Sequence, residues 1–281
     1  MPFSTTHHHL SQLALDICRG PWLLYNAESQ IQLVRNFFAH LPVQDSVADF
    51  TPLSYTESGD VAQAEPSSRK EGVAVIPIVC TITKYDSCAT IGATTVASVL
   101  VEAAENPDVV GVVLDIDSGG GSCSAIPLLE KAISSVKSAG KPIIVHADLC
   151  ASAAYWIASM CDAIFADNSF SEFGSIGVMA QMYRPAENVI TVYAEESPDK
   201  NREYREALSG NIKPAQQSLS PIVAEFQKAV SIGRPNLKKN TPGILSGAMF
   251  NAHEATDAGL INGMSSLEDC IQNVFIRASK F

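Results

Sequence analysis

The chain has 281 residues, of which 46% are hydrophobic and 17% are charged, and its formal net charge is −11. This composition can bury a sizeable core, so it excludes general disorder. The acidic balance argues against nucleic acid as the main partner, because phosphate binding needs clustered Lys and Arg.

The N-terminal quarter differs in pattern from the rest of the chain. Residues 10–40 carry apolar positions at helical spacing, which predicts two helices. Residues 55–72 are polar, contain Gly, Ser and Pro, and lack periodicity, which is typical of a flexible linker. We therefore expect an N-terminal helical region at 1–54, a linker at 55–72 and the main domain at 73–281.

From residue 73 onward, predicted strands and helices alternate. Strands that are apolar on both faces and separated by helices predict an α/β fold with a mostly parallel sheet. The predicted strands are residues 73–82, 109–116, 142–147, 163–166 and 189–193, and the predicted helices are residues 94–105, 125–138, 152–160 and a long one after Pro214.

The sequence also predicts where the protein resides. No run of 18 or more apolar residues occurs, so we expect no transmembrane helix and no stable membrane insertion. The polar start, with three consecutive histidines, does not resemble a signal peptide. The seven cysteines show no C-x-x-C pair and no zinc spacing, which indicates reduced cytoplasmic thiols.

One serine stands out as a candidate nucleophile. Ser152 lies in Ala-Ser-Ala-Ala-Tyr-Trp (151–156), where a predicted strand turns into a predicted helix, and its alanine neighbours are small enough to leave the hydroxyl reachable. The start of a helix presents unpaired N–H groups and a positive dipole end. A glycine loop, Asp-Ser-Gly-Gly-Gly-Ser (117–122), precedes it, and Phe-Gly-Ser-Ile-Gly-Val (173–178) follows. A serine between two such loops indicates acyl transfer.

Together these three segments resemble the signal peptide peptidase A family of serine–lysine proteases, most closely its phage branch, the protein C-type capsid assembly proteases. Ala-Ser-Ala-Ala-Tyr is the phage form of a motif that reads Ser-Gly-Gly-Tyr in cellular members. The glycine loop departs from the usual Asp-Ser-Pro-Gly-Gly, because Gly119 replaces the proline. The resemblance implies the Clp protease/crotonase-like αβ spiral and assembly into a homo-oligomer.

The resemblance also implies a catalytic pair. Ser152 would be the nucleophile, and a lysine some fifty residues further on would be the general base. Lys200, 48 residues after Ser152, is the candidate, with Lys213 as the fallback. Such a lysine must be neutral, so burial has to lower its pKa from ~10.4. Taken alone, the charged stretch around Lys200 also fits an exposed surface loop.

Supporting roles follow from the same resemblance. The glycine loop would supply an oxyanion donor, Gly120 N–H first and Gly121 N–H next, with Ala153 N–H contributing from the nucleophile side. Ser175 would either orient the lysine or cap a turn.

Other readings of these residues remain open. His146, on the strand before Ser152, is the best member of a possible Ser-His-Asp triad, or else a satisfied histidine at a strand end. Cys150 is a rival nucleophile or a buried core thiol. The glycine loop does not fit a dinucleotide fingerprint, because Ser124 occupies the last glycine position.

The resemblance implies a serine endopeptidase that uses no metal, nucleotide or organic cofactor. It would mature a phage or prophage head by cutting scaffold, portal or capsid proteins, in the host cytoplasm or inside the prohead. Two alternatives are a cytoplasmic peptidase of the cellular branch that degrades signal peptides, and a catalytically inactive capsid-assembly factor that kept the fold.

Overall fold

The computed structural model describes residues 22–24, 53–55, 71–87, 90–185 and 188–280, the first two ranges as backbone strands. The two predicted N-terminal helices and most of the predicted linker lie outside the described residues. The predicted domain boundaries therefore stay predictions.

The main sheet is parallel at its centre and antiparallel at its edges. Its order is β2-β3-β6-β8-β10-β11, and β8 also pairs with β9, which pairs with β12. The pairs among β3, β6, β8, β9, β10 and β12 are parallel, while β2 and β11 join antiparallel. A smaller sheet has the order β1-β7-β4-β5. The strands are β1 Trp22–Leu24, β2 Leu53–Tyr55, β3 Gly72–Val79, β4 Thr81–Thr83, β5 Thr90–Gly92, β6 Val109–Ser118, β7 Gly120–Ser122, β8 Ile143–Ala151, β9 Ala163–Ala166, β10 Glu172–Gly174, β11 Met249–Asn251 and β12 Gly263–Met264.

Helices cover both faces of the main sheet. Because side chains alternate between faces along a strand, Leu114 and Ile116 of β6 enter the larger core while Val113 enters the smaller one. The smaller core is closed by α7, and the larger by the other long helices. The helices are α1 Ala93–Glu105, α2 Ile126–Ser138 after a 3₁₀ turn at Cys123–Ala125, α3 Ala153–Ser159, α4 Arg202–Leu208, α5 Lys213–Gly233, α6 Ala252–Ala258 and α7 Leu267–Ala278.

This arrangement confirms the predicted α/β class with a parallel sheet. The continuous strand predicted at 73–82 is divided into β3 and β4, because Cys80 between them has a φ of 72°. The strand predicted at 189–193 is wrong for the described chain: these residues form no strand, and the side chains of Ile190 and Val192 are 88% and 86% exposed. Within the described residues, no helix is both long and apolar enough to cross a bilayer.

Candidate active site

Ser152 occupies the sharp turn between β8 and α3. Its φ and ψ are 55° and −119°, a conformation that costs a non-glycine residue about 1–3 kcal/mol. Its N–H donates to the Gly174 carbonyl at 2.9 Å, and its carbonyl accepts from Trp156 N–H at 2.8 Å. Nucleophilic serines are presented on such strained strand-to-helix turns. The chain makes this turn without the G-x-S-x-G sequence.

Helix α3 is held rigidly, so Ser152 is held with it. All seven of its residues are buried. The Trp156 ring stacks on Phe226 of α5 with centroids 4.7 Å apart, and the Tyr155 hydroxyl donates to the Leu260 carbonyl at 2.7 Å.

The far end of α3 is anchored by the end of α5. A Cβ added at Gly233 would lie 1.8 Å from the Ser159 carbonyl oxygen, so glycine is required for this approach. The buried Arg234 guanidinium, next along the chain, donates to the carbonyls of Ser159 and Cys161 and, at 3.1 Å, to Asn262 Oδ1. A cation at this position also complements the negative end of the α3 dipole.

The three segments singled out in the sequence meet at the carboxyl ends of the central strands. Ser118, in the glycine loop, is the cross-strand partner of Cys150, two residues before Ser152. Gly174 is the partner of Ala151. Parallel strands end at the same sheet edge, and this edge therefore carries the serine with a loop on each side.

The candidate oxyanion donors differ in whether their N–H groups already donate a hydrogen bond. Gly120, with a φ of 100°, donates its N–H to Ser118 Oγ at 3.2 Å, and that hydroxyl donates to the Cys80 carbonyl at 2.5 Å. Gly121 lies in β7. Ala153 is the first residue of α3, where an N–H has no acceptor within the helix. In this conformation Ala153 N–H has no acceptor within its helix and is available to bind an oxyanion. Gly120 N–H must first leave Ser118 Oγ before it can donate to one.

The predicted base does not contact the serine in the single chain. Lys200 lies exposed in a turn, where its backbone N–H donates to the Ser197 carbonyl at 3.2 Å. Among the described residues, none forms a hydrogen bond or ion pair with the side chain of Lys200 or with Ser152 Oγ. The fallback, Lys213, is exposed at the start of α5.

The environment of Ser152 is closed and its neighbour Ser175 is strained. Only 1% of the surface of Ser152 is exposed, so a substrate carbonyl reaches its hydroxyl only if part of the cover moves. Ser175 has a φ of 51°, is half-buried, and donates its N–H to the Ala248 carbonyl at 2.8 Å.

His146 is engaged by two aspartates. Its Nδ1 lies 2.8 Å from Asp115 Oδ1 and its Nε2 lies 3.2 Å from Asp167 Oδ1. Burial lowers the pKa of His146, but its hydrogen bonds and charge interactions with both carboxylates outweigh this, so the pKa is raised overall. Both ring nitrogens therefore lie against carboxylate oxygens, so the histidine is not placed to take a proton from Ser152. The sequence reading missed both aspartates, although Asp115 is directly opposite His146 in the β6–β8 register.

Cys150 is a core residue. Its side chain is fully buried, and burial together with nearby Cys161 raises the pKa of the thiol well above its usual range, only partly offset by Arg234. A thiol that stays protonated is not a nucleophile.

Comparison with known proteins assigns the family. The sequence profile of Peptidase family S49 matches residues 135–278, just over half of the chain. The chain belongs to peptidase family S49. The matched residues of this S49 member include Ser152, Lys200 and Ser175 and begin after the glycine loop. The predicted family, a family of serine-type peptidases, is thereby confirmed, while its phage branch stays a prediction.

The S49 chain is also similar to individual proteins. It is 29% identical over 188 residues to Protease 4 of Haemophilus influenzae, covering 64% of this chain. The chain spans only about 30% of the length of that relative. A ClpP1 mutant from Listeria monocytogenes matches 70% of this chain and 94% of its own at 12% identity, with a TM-score of 0.45. An enoyl-CoA hydratase/isomerase family protein from Silicibacter pomeroyi matches 75% of this chain and 79% of its own at 14% identity, with a TM-score of 0.42.

Proposed function

We propose that this S49 member is a serine endopeptidase in which Ser152 is the nucleophile. The observation that carries the proposal is the strained, buried serine at the N-terminus of α3. There the serine oxygen lies beside N–H groups that can stabilise the oxyanion of a tetrahedral intermediate. Ala153 N–H is one donor, and Gly120 or Gly121 N–H is the other.

The base in this proposal is Lys200, assisted by Ser175. Neutral Lys200 Nζ takes the proton of Ser152 Oγ as the oxygen attacks the substrate carbonyl carbon. The proton then passes to the leaving amine, and water activated by the same lysine hydrolyses the acyl-enzyme. Lysine suits this role because its pKa falls on burial, whereas arginine stays charged.

We propose that a second copy of the chain buries Lys200. The lysine is exposed in the single chain, as are the side chains of Val189, Ile190 and Val192 just before it. A contiguous exposed apolar segment is typical of a contact surface. Its sequence favours a strand, but no strand of the described chain pairs with it.

The natural substrates in this proposal are scaffold, portal or capsid proteins of a phage or prophage head. The Ala-Ser-Ala-Ala-Tyr form of the nucleophile motif supports that choice over the cellular branch. A cytoplasmic signal-peptide-degrading peptidase is the alternative enzyme, and co-expression with a head scaffold, followed by mass spectrometry of both chains, distinguishes them.

Fluorophosphonate labelling and peptide cleavage test the catalytic roles. We expect a single adduct on Ser152 in the wild type, and loss of cleavage by at least about 1000-fold in Ser152→Ala, Lys200→Met and Lys200→Arg. Lys213→Met is the matched control and should cleave normally. Cleavage that survives Lys200→Met shows that another group is the base. A wild-type chain that is neither labelled nor active leaves the inactive assembly factor as the function.

The oligomer is tested separately. Ile190→Asp with Val192→Asp should reduce the mass measured by light scattering to that of one chain and abolish cleavage. Phe170→Asp is the control, because Phe170 is equally exposed but lies outside the apolar segment. A wild type that is monomeric and active contradicts this part of the proposal.

A further inference from the structure

The glycine strand β7 is paired on both of its edges. On one side Ile82 of β4 lies against Gly121, so closely that a Cβ at Gly121 would be 1.8 Å from the Ile82 carbonyl oxygen. On the other side β1, from the N-terminal region, runs antiparallel to β7 with Trp22 opposite Ser122 and Leu24 opposite Gly120. The second edge of β7 is therefore occupied by a distant segment of the same chain.

This occupied edge belongs to the candidate active site. Strand β7 follows the end of β6 at Ser118, which is paired with β8 two residues before Ser152. Helix α3, which begins directly after Ser152, contacts β7. Gly120, a candidate oxyanion donor, is the first residue of β7.

A strand edge beside a nucleophile suits an extended peptide once the strand that now occupies it has left. Peptides add to such edges through main-chain hydrogen bonds, which supply affinity without requiring a particular side chain. A substrate strand paired with β7 would run past Ser152 with its carbonyl groups near the oxyanion donors. The N-terminal strand and an extended substrate cannot occupy the edge at the same time.

We propose that the edge of β7 now paired with β1 binds the extended backbone of the substrate, and that Trp22–Leu24 occupies it as an intramolecular blocker. This inference rests on the proposed peptidase function and adds a regulation to it. The closed environment of Ser152, with 1% of its surface exposed, agrees with a blocked state.

The covalent link between β1 and the rest of the chain determines how strongly β1 competes with the substrate. A covalently linked segment competes at an effective concentration on the order of 1 mM. If the same segment as a free peptide binds with a Kd of about 0.1 mM, the tethered strand raises the apparent KM roughly 10-fold. Release of the strand should then lower KM by about that factor and leave kcat unchanged.

The test removes the backbone donors of the blocker in the full chain. Only every second residue of an antiparallel strand donates to a given partner, so Leu23→Pro and Leu24→Pro are combined to cover both possibilities. Leu23→Ala with Leu24→Ala is the matched control, because it shortens the same side chains but keeps both N–H groups. We expect the proline variant to cleave an extended peptide with a KM about 10-fold lower, and the alanine variant to retain the wild-type KM.

Hydrogen exchange reads the pairing without relying on activity. Whichever amides of Gly121 and Ser122 donate to β1 should exchange at least about 10-fold faster in the proline variant than in the wild type, whereas the Gly120 amide donates to Ser118 Oγ. A synthetic peptide of residues 19–27 (Arg-Gly-Pro-Trp-Leu-Leu-Tyr-Asn-Ala) should restore their protection and inhibit the variant competitively.

The outcomes separate this inference from the proposed function. Fluorophosphonate labelling of Ser152 with an unchanged KM in the proline variant overturns the blocker and leaves the peptidase standing. Loss of labelling and cleavage in every form overturns the peptidase. The exchange data still decide the edge site in that case: protection by the peptide supports it, and exchange that is unaffected by both proline and peptide overturns it.

Discussion

Gly233→Ala tests whether the contact between α5 and α3 holds the nucleophile in place. The added Cβ would lie 1.8 Å from the Ser159 carbonyl oxygen and 2.7 Å from its carbon. To bring the first distance to 3.0 Å, the end of α5 must move by about 1.2 Å against the backbone of α3. The Arg234 hydrogen bonds to the Ser159 and Cys161 carbonyls lengthen with this movement.

The magnitude follows from opposing contributions. Overpacking costs about 1–3 kcal/mol and a weakened buried hydrogen bond about 1 kcal/mol, while alanine gains up to about 1 kcal/mol over glycine in a helix. We expect a net loss of about 2 kcal/mol in the free energy of unfolding, which lowers Tm by about 4–8 °C for a domain of this size. Because α3 carries Ser152, the rate of fluorophosphonate labelling should fall about 10- to 100-fold.

Thermal unfolding by circular dichroism and timed labelling of the folded protein are the two assays. Gly177→Ala is the control for stability, since its Cβ would meet only Gly247 Cα at 3.7 Å, an ordinary contact. A Gly233→Ala protein that melts and is labelled as the wild type refutes the close approach of the two helices and the positional role given to it.

Substitutions at three other residues test further contacts by their effect on unfolding. The pKa of His146 is raised in the folded protein. Its contribution to stability is therefore complete below its unfolded pKa of about 6.5 and is lost as the pH rises through the higher folded value. The decrease in Tm from pH 6 to pH 9 should shrink in His146→Asn, and an unchanged decrease contradicts the double carboxylate contact. Arg234→Met leaves buried carbonyls without a donor and should cost about 1–3 kcal/mol in urea unfolding. Arg234→Lys should recover only part of this loss, because lysine lacks the planar fork, and full recovery would mean that charge alone matters. Tyr155→Phe should cost about 1–2 kcal/mol through the unpaired Leu260 carbonyl, and a neutral result would show that this carbonyl has another donor.

Local pattern was sufficient for the elements that form from short-range preferences. The apolar run before Ser152 and the helix after it placed the serine at a strand-to-helix junction, which the structure contains. The alternation of apolar strands with amphipathic helices likewise predicted the α/β class, because a strand buried on both faces needs helices on each side. Spacing could not reveal that β8 continues to Ala151, or that Cys80 divides the first predicted strand with a positive φ.

What only the tertiary structure decided depends on contacts between residues far apart in the chain. The register of β6 against β8 sets Asp115 beside His146, so the histidine contacts a carboxylate and not Ser152. The approach of α5 to α3 explains why position 233 is glycine. Residues 189–193 have the sequence of a strand, yet a strand requires a partner, and the described chain provides none. The sequence by itself therefore determined which residues can form the nucleophile turn, whereas tertiary contacts decided which groups are free to act on it.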